Sequence, residues 1–192
     1  MPTKTPVEKA EQMLKPKLEE AYDPQSLIAL VPIHTDQDVA DVGSGPGWLS
    51  MPLAKYLYGG KLYAIDVQEG MLKKVAEQAA TFKLRNVEIV PSKESAIPLE
   101  DAIVDGLVIS DTLNEATRAK SLLKECARLL RKSGWLAVIE WLPATTETPE
   151  FGPPASQRIA VETVLEMGAE LGLSKIRSRQ IGSSHYVVVF KK

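Results

Sequence analysis

The run Asp41-Val42-Gly43-Ser44-Gly45-Pro46-Gly47 constrains this chain more than any other stretch. It follows apolar Val39-Ala40 and precedes Trp48-Leu49-Ser50-Met51-Pro52-Leu53-Ala54, so it reads as strand, glycine loop and helix start. Glycines let the backbone turn sharply and let a ligand approach without meeting a Cβ, and the first amides of a helix lack intrahelical partners. Spacing narrows the ligand. A dinucleotide loop places glycines at its first, third and sixth positions, the last so that helix and strand pack closely. Here the sixth position is Trp48 and the third glycine comes early, at Gly47. A P-loop ends in Gly-Lys-Ser/Thr, whereas Trp48 and Leu49 follow Gly47. A Walker-type ATPase is therefore excluded, and Trp48 argues against a nicotinamide dehydrogenase.

Downstream, Lys61 to Ile65 is a β-rich segment closing on Asp66, and Gln68 to Ala80 carries helical periodicity. The separation of Asp66 from Gly43 is about the ~20 residues that bring a second strand beside the first. A carboxylate in that place can accept both hydroxyls of a ribose. Together the two features predict an adenosine-containing ligand held without a pyrophosphate clamp.

Four segments in order carry a family resemblance: Val39 to Gly47, Tyr63-Ala64-Ile65-Asp66-Val67 with Gln68 to Leu72, Val87 to Leu99, and Asp105-Gly106-Leu107-Val108-Ile109-Ser110-Asp111. Joined, they resemble the class I S-adenosylmethionine-dependent methyltransferases, and most closely the small type 11 domain. The resemblance implies an α/β, Rossmann-like three-layer sandwich. Its seven-stranded, mostly parallel sheet would have the order 3-2-1-4-5-7-6, with strand 7 antiparallel. It also implies S-adenosyl-L-methionine as cofactor, S-adenosyl-L-homocysteine as product, and methyl transfer as the reaction.

On that basis the cofactor candidates are Asp41, Gly43, Ser44, Gly45, Gly47, Asp66, Val67, Met71, Glu94, Ser95 and Ser110. Asp41 would reach the ammonium of the cofactor, directly or through water, or hold loop amides. Asp66 would take the ribose. Val67 and Met71 would face adenine, a core role for Met71 being equally open. Lys93 stands where the family places an aspartate, so either Glu94 or its neighbour Ser95 would meet the adenine amino group. Ser110 would hold the methionine part through its carbonyl.

The acceptor side is less defined. Asp111, Thr112 and Asn114 follow the fourth strand, and Asn114 could equally cap the next helix. Asp111 and His185 are the candidates for a base, should the acceptor atom need one; His34, the other histidine, reads as structural or surface. Trp48, Trp141 and Phe151 would shape an aromatic acceptor site or simply pack. No metal site is expected. The preferred acceptor is a small molecule. The rivals are protein or RNA methylation, although Ser110-Asp111-Thr112-Leu113 stands where nucleic-acid amino methyltransferases carry Asn-Pro-Pro-Tyr, and a noncatalytic cofactor-binding module.

Elsewhere strands at 39–42, 61–65, 87–90, 105–109 and 135–140 alternate with helices at 46–57, 68–80 and 116–130, the last stopped by Gly134. A further helix is expected from Ser156 to Gly172, then a hairpin of Ser174 to Gln180 with His185 to Phe190. Val7 to Tyr22 reads as helical with a break at Pro16. The 192 residues suit one domain: 1–35 a helical lid segment, 36–142 the cofactor-binding core, and 143–192 a C-terminal helix and hairpin, with 145–154 a loop. The net charge of −2 disfavours bulk nucleic-acid binding. The lone Cys126 sits at helical spacing with Leu122, Leu123, Leu129 and Leu130 and reads as a buried hydrophobe. With no leader-like apolar core and no run long enough to span a membrane, a cytoplasmic protein is expected.

Overall fold

The computed structural model describes residues 4–14, 22–143 and 152–192. Its centre is a seven-stranded sheet in the order β3-β2-β1-β4-β5-β7-β6, the order the resemblance implied. The strands are β1 (Val39–Val42), β2 (Leu62–Asp66), β3 (Val87–Pro91), β4 (Val104–Ser110), β5 (Leu130–Trp141), β6 (Ser174–Ile181) and β7 (His185–Lys191). β1 to β5 pair in parallel, and β7 runs antiparallel to both β5 and β6.

Strands in the middle of a covered parallel sheet have no wet face, which is why β1 and β2 are apolar apart from Asp41 and Asp66 and are buried at every residue. Alternate residues then supply two different cores. Ala40, Leu107, Ile109, Leu136 and Val138 pack under α5 (Ala119–Leu129) and α6 (Val161–Glu170), through Leu122, Leu123, Cys126 and Val164. Val39, Val108, Ala137 and Ile139 face the opposite side, where α2 (Pro24–Ile28) and α3 (Ser50–Tyr56) bring Leu27, Leu53 and Ala54. α4 (Glu69–Thr81) completes that layer by packing Val75 and Ala79 against Ala64. A short 3-10 turn (Val7–Lys9) and α1 (Ala10–Met13) precede α2, and Pro16 lies outside the described residues.

Several boundaries differ from those expected. Residues 46–49 are turns and α3 begins only at Ser50. α5 stops at Leu129, and residues 130–134 belong to β5, so Gly134 is not a helix stop. The cause is tertiary. β5 pairs Leu130 with Val104 and then Trp135 with Gly106, a register shift that absorbs the extra residues, with Ser133 at φ 67°. Arg131, expected near a helix end, instead donates to Asp105 at 2.6 Å and Asp38 at 3.1 Å. The C-terminal helix begins at Val161, preceded by a 3-10 turn at Ala155–Gln157, so Ser156 is not its cap. Gly172, at φ 76°, follows that helix in the left-handed conformation that ends helices.

Candidate functional site

In open α/β sheets ligands collect beyond the carboxyl ends of the strands, and a cavity of about 500 Å³ lies along that edge. Gly43 opens it. Its φ is 74°, and a Cβ there would stand 2.1–2.9 Å from the Thr112 side chain, so only glycine lets the loop leave β1. The amides of Gly43 and Ser44 both donate to the Ile65 carbonyl, at 2.8 and 3.0 Å, tying the loop to β2. Asp66, at the end of β2, accepts from the Gly45 amide at 2.9 Å and the Gln68 amide at 2.8 Å. One carboxylate thus fixes both the glycine loop and the start of α4, with acceptor capacity left over.

Burial raises the Asp66 carboxyl above its usual range, opposed by the amide bonds from Gln68, Gly45 and Val67. Asp41 is more extreme. Only 2% exposed, its carboxyl is pushed up to about 7 by burial, against a 2.6 Å hydrogen bond from the Ser50 hydroxyl.

The other sequence candidates divide. Val67, Met71, Glu94 and Ser110 line the cavity with Asp41, Gly43, Ser44, Gly45 and Asp66. Gly47 and Ser95 do not. Gly47 packs toward Val75, Gln78 and Met51 beside α4, and its amide donates to Ser44 O at 3.0 Å. Ser95 belongs to a separate depression with Ser121 and Arg128, because the Lys93–Ala96 bridge makes a tight turn that sends Glu94 and Ser95 in different directions. Glu94 itself accepts from Thr117 Oγ1 and the Arg118 amide, both at 3.2 Å. The Ser110 carbonyl accepts from Thr112 Oγ1 at 2.7 Å.

The N-terminal segment supplies another wall through Lys4, Thr5, Pro6, Lys9, Gln12 and Met13. Thr5 donates its hydroxyl to Glu115 at 2.6 Å and its amide to both carboxylate oxygens at 3.2 Å, while Gln68 Nε2 donates to the Thr5 carbonyl at 3.0 Å. Burial raises the Glu115 carboxyl, partly offset by those Thr5 bonds.

Neighbouring strands are about 4.8 Å apart, so with β1 and β4 between them the edge from Asp66 to Trp141 runs about 14 Å. At its β4–β5–β7 end the glycine loop gives way to side chains. Asp111 has φ 50°, uncommon outside glycine and found at strained functional positions. Its Oδ1 lies 3.2 Å from His185 Nε2, yet neither atom meets hydrogen-bond alignment. The pair is therefore a close approach without a hydrogen bond. His185 is fully buried, with Nδ1 3.0 Å from Ser184 Oγ and its ring between Tyr22 (5.0 Å) and Trp141 (4.1 Å). Tyr22 OH meets Ser110 Oγ at 2.8 Å, and burial raises its phenol well above the ordinary value. Trp48, Thr112, Asn114 and Trp141 also line the cavity; Phe151 lies outside the described residues, and His34 is exposed and away from it.

Glu140 was not singled out from sequence, although an acid inside the apolar run Trp135 to Trp141 is a visible signal. It is fully buried and accepts the amides of Leu113 at 2.8 Å and Asn114 at 3.3 Å. Burial, then the Asp111 charge, raises its carboxyl well above the usual range. Ser92 and Glu115 were likewise missed as lining residues. Cys126 faces the core from α5, its thiol pushed up to about 12 by burial.

This lining suits a cationic ligand. Five acids, Asp41, Asp66, Glu94, Asp111 and Glu115, face two lysines, and the Ser44 hydroxyl, on a residue 6% exposed, has no hydrogen-bond partner. S-adenosylmethionine carries a sulfonium and an ammonium, which such walls accommodate, whereas a pyrophosphate would meet carboxylates.

The methyltransferase domain family model matches residues 40–138. The ubiquinone/menaquinone biosynthesis C-methyltransferase UbiE of Escherichia fergusonii is 30% identical over 111 residues, 57% of this chain but only 44% of that protein. A SAM-dependent methyltransferase from Aquifex aeolicus superposes with a TM-score of 0.90 at 29% identity, covering 98% of this chain and 99% of that one. The cyclase SpnF shares the fold at a TM-score of 0.76 and 15% identity, over 88% of this chain and 79% of that one. Fold alone thus leaves the reaction open. The matched stretch spans the glycine loop, Asp66, the β4 end and most of β5, and with it this chain belongs to the methyltransferase domain family, in the class I S-adenosylmethionine-dependent fold.

Proposed function

We propose that the protein transfers the methyl group of S-adenosylmethionine to a small-molecule acceptor. The observation that carries this reading is the acid-lined cavity on the carboxyl edge, entered from the glycine loop and roofed by residues 4–13. The bound cofactor supplies a methyl already activated by its sulfonium charge. The chain aligns the acceptor with that methyl and excludes water.

Asp66 and the Gly43–Gly45 loop would hold the ribose and methionine parts, Val67 and Met71 the adenine face, and Glu94 or the adjacent Ser92 the adenine edge. With the cofactor on the β1–β2–β3 side, the acceptor falls to the β4–β5–β7 side, between Asp111, Tyr22 and Trp141. A cavity of about 500 Å³ suits a small molecule rather than a folded macromolecule. In this reading 1–192 act as one domain, with 1–35 covering the site, 36–142 holding the cofactor, and 143–192 completing the sheet. Among the described residues no helix is long and apolar enough to cross a membrane, and the chain would work in the cytoplasm.

Calorimetric titration with S-adenosylmethionine, with NAD, and again on Asp66→Ala tests the assignment. Binding of S-adenosylmethionine alone, weakened in the variant, supports it. A folded protein that binds neither, or binds irrespective of Asp66, refutes it. Quinols belong in the acceptor screen that follows, because the aromatic walls suit a flat ring and the E. fergusonii relative is named for C-methylation in quinone biosynthesis.

A further inference from the structure

Three acids stand at the β4–β5–β7 end, and two are spent on the chain itself. Glu140 accepts the Leu113 and Asn114 amides, and Glu115 holds Thr5. Asp111 differs. Its Oδ1 is buried against His185 Nε2 at 3.2 Å, and its Oδ2 receives only a long 3.4 Å contact from Ser110 Oγ, so Oδ2 is the oxygen left for a ligand. Behind it lies the His185 ring, 3.0 Å from Ser184 Oγ through Nδ1 and flanked by Tyr22 and Trp141. Its side chain is 30% exposed and lines the cavity, whose wall also carries the rings of Tyr22, Trp48 and Trp141.

Among the described residues the lining cations are Lys4 and Lys9 on the N-terminal segment, with Lys4 3.8 Å from Glu94 after β3. Arg158 lies over Trp141 at 5.4 Å but does not line the cavity, and its Nη1 and Nε donate to the carbonyls of Leu142 and Pro153. Aromatic faces around a carboxylate with unused acceptor capacity make a site for an ammonium group.

Building on the methyltransferase reading above, we propose that the acceptor is a small alkyl or arylalkyl amine, bound as its ammonium by Asp111 and methylated on nitrogen. The nitrogen gives a proton to the Asp111 carboxylate. With the lone pair so freed it bonds the methyl carbon as the carbon–sulfur bond breaks and its electron pair goes to sulfur. The products are a methylated ammonium and the neutral thioether S-adenosylhomocysteine. Asp111 is the group that touches the acceptor.

The test is calorimetric. Protein saturated with S-adenosylhomocysteine is titrated with phenethylamine, phenylethanol and hydrocinnamate, which share a phenyl ring and a two-carbon arm but differ in charge. Phenethylamine should bind at least about tenfold tighter than either other probe. Asp111→Asn, chosen because asparagine tolerates the left-handed backbone, should erase that preference while leaving S-adenosylhomocysteine affinity within about twofold. Equal binding of the probes by the wild type, preference for hydrocinnamate, absence of binding by all three, or a preference that persists in the variant would overturn the amine assignment alone. Failure of the wild type to bind S-adenosylhomocysteine would instead overturn the methyltransferase reading on which it stands.

Discussion

The two ends of the cavity are built on different principles. At the β1–β2 end the work is done by backbone: three amides meet either Ile65 O or the Asp66 carboxylate within 2.8–3.0 Å, and the side chains mainly accept from them. At the β4–β5–β7 end Tyr22, Ser110, Asp111, His185 and Ser184 form a chain of side-chain contacts between 2.8 and 3.4 Å, drawn from three distant parts of the sequence. A backbone cradle suits a cofactor whose shape does not vary. Side chains can change with little damage to the sheet, which suits an acceptor that differs between relatives.

If that contrast is right, the largest effect belongs to the backbone end. Gly43→Ala forces a Cβ into Thr112 at a left-handed φ, and it should cost about 4 kcal/mol in denaturant unfolding and abolish cofactor binding. A milder loss would mean that the loop can shift away from Thr112.

Next comes Asp41, whose buried carboxyl sits at about 7 when folded and about 4 when unfolded. Between these values the folded state keeps the proton that the unfolded state has released, so stability falls as pH rises from about 4 to 7 and is level above. Asp41→Asn should remove a fall on the order of 4 kcal/mol, read from urea midpoints across that range. Parallel pH curves for the two proteins would contradict the burial argument.

Asp66→Asn keeps an acceptor for one amide but loses the charge, and should weaken S-adenosylmethionine binding roughly 30-fold, about 2 kcal/mol. The smallest change is expected at the other end. Tyr22→Phe deletes only the bond to Ser110, should cost about 1 kcal/mol of stability, and should leave cofactor affinity unaltered. A cofactor effect as large as that of Asp66→Asn would erase the distinction between the two ends.

How much was legible follows the same division. Val39 to Gly47 and Asp66 could be read because a strand, a turn glycine and the acid that closes the next strand are local patterns. The end of α5 could not. Leu130 to Gly134 look like the continuation of a helix with a glycine stop, and only pairing with Val104 and the Arg131 contacts to Asp38 and Asp105 make them strand. Glu94 and Ser95 could not be told apart without the Lys93–Ala96 turn. The latch between Thr5 and Glu115 joins residues 110 positions apart and leaves no periodic trace.

From sequence alone came the parallel α/β sheet, its glycine loop and the acid of β2, because apolar period, glycine placement and strand spacing act over a few residues or one βαβ unit. Tertiary structure alone decided that Glu140 would be buried beneath the Leu113 and Asn114 amides, that His185 would stand behind Asp111, and that Tyr22 would close on Ser110. Those contacts depend on which strand ends become neighbours, and on how much water is left between acids that the chain holds far apart.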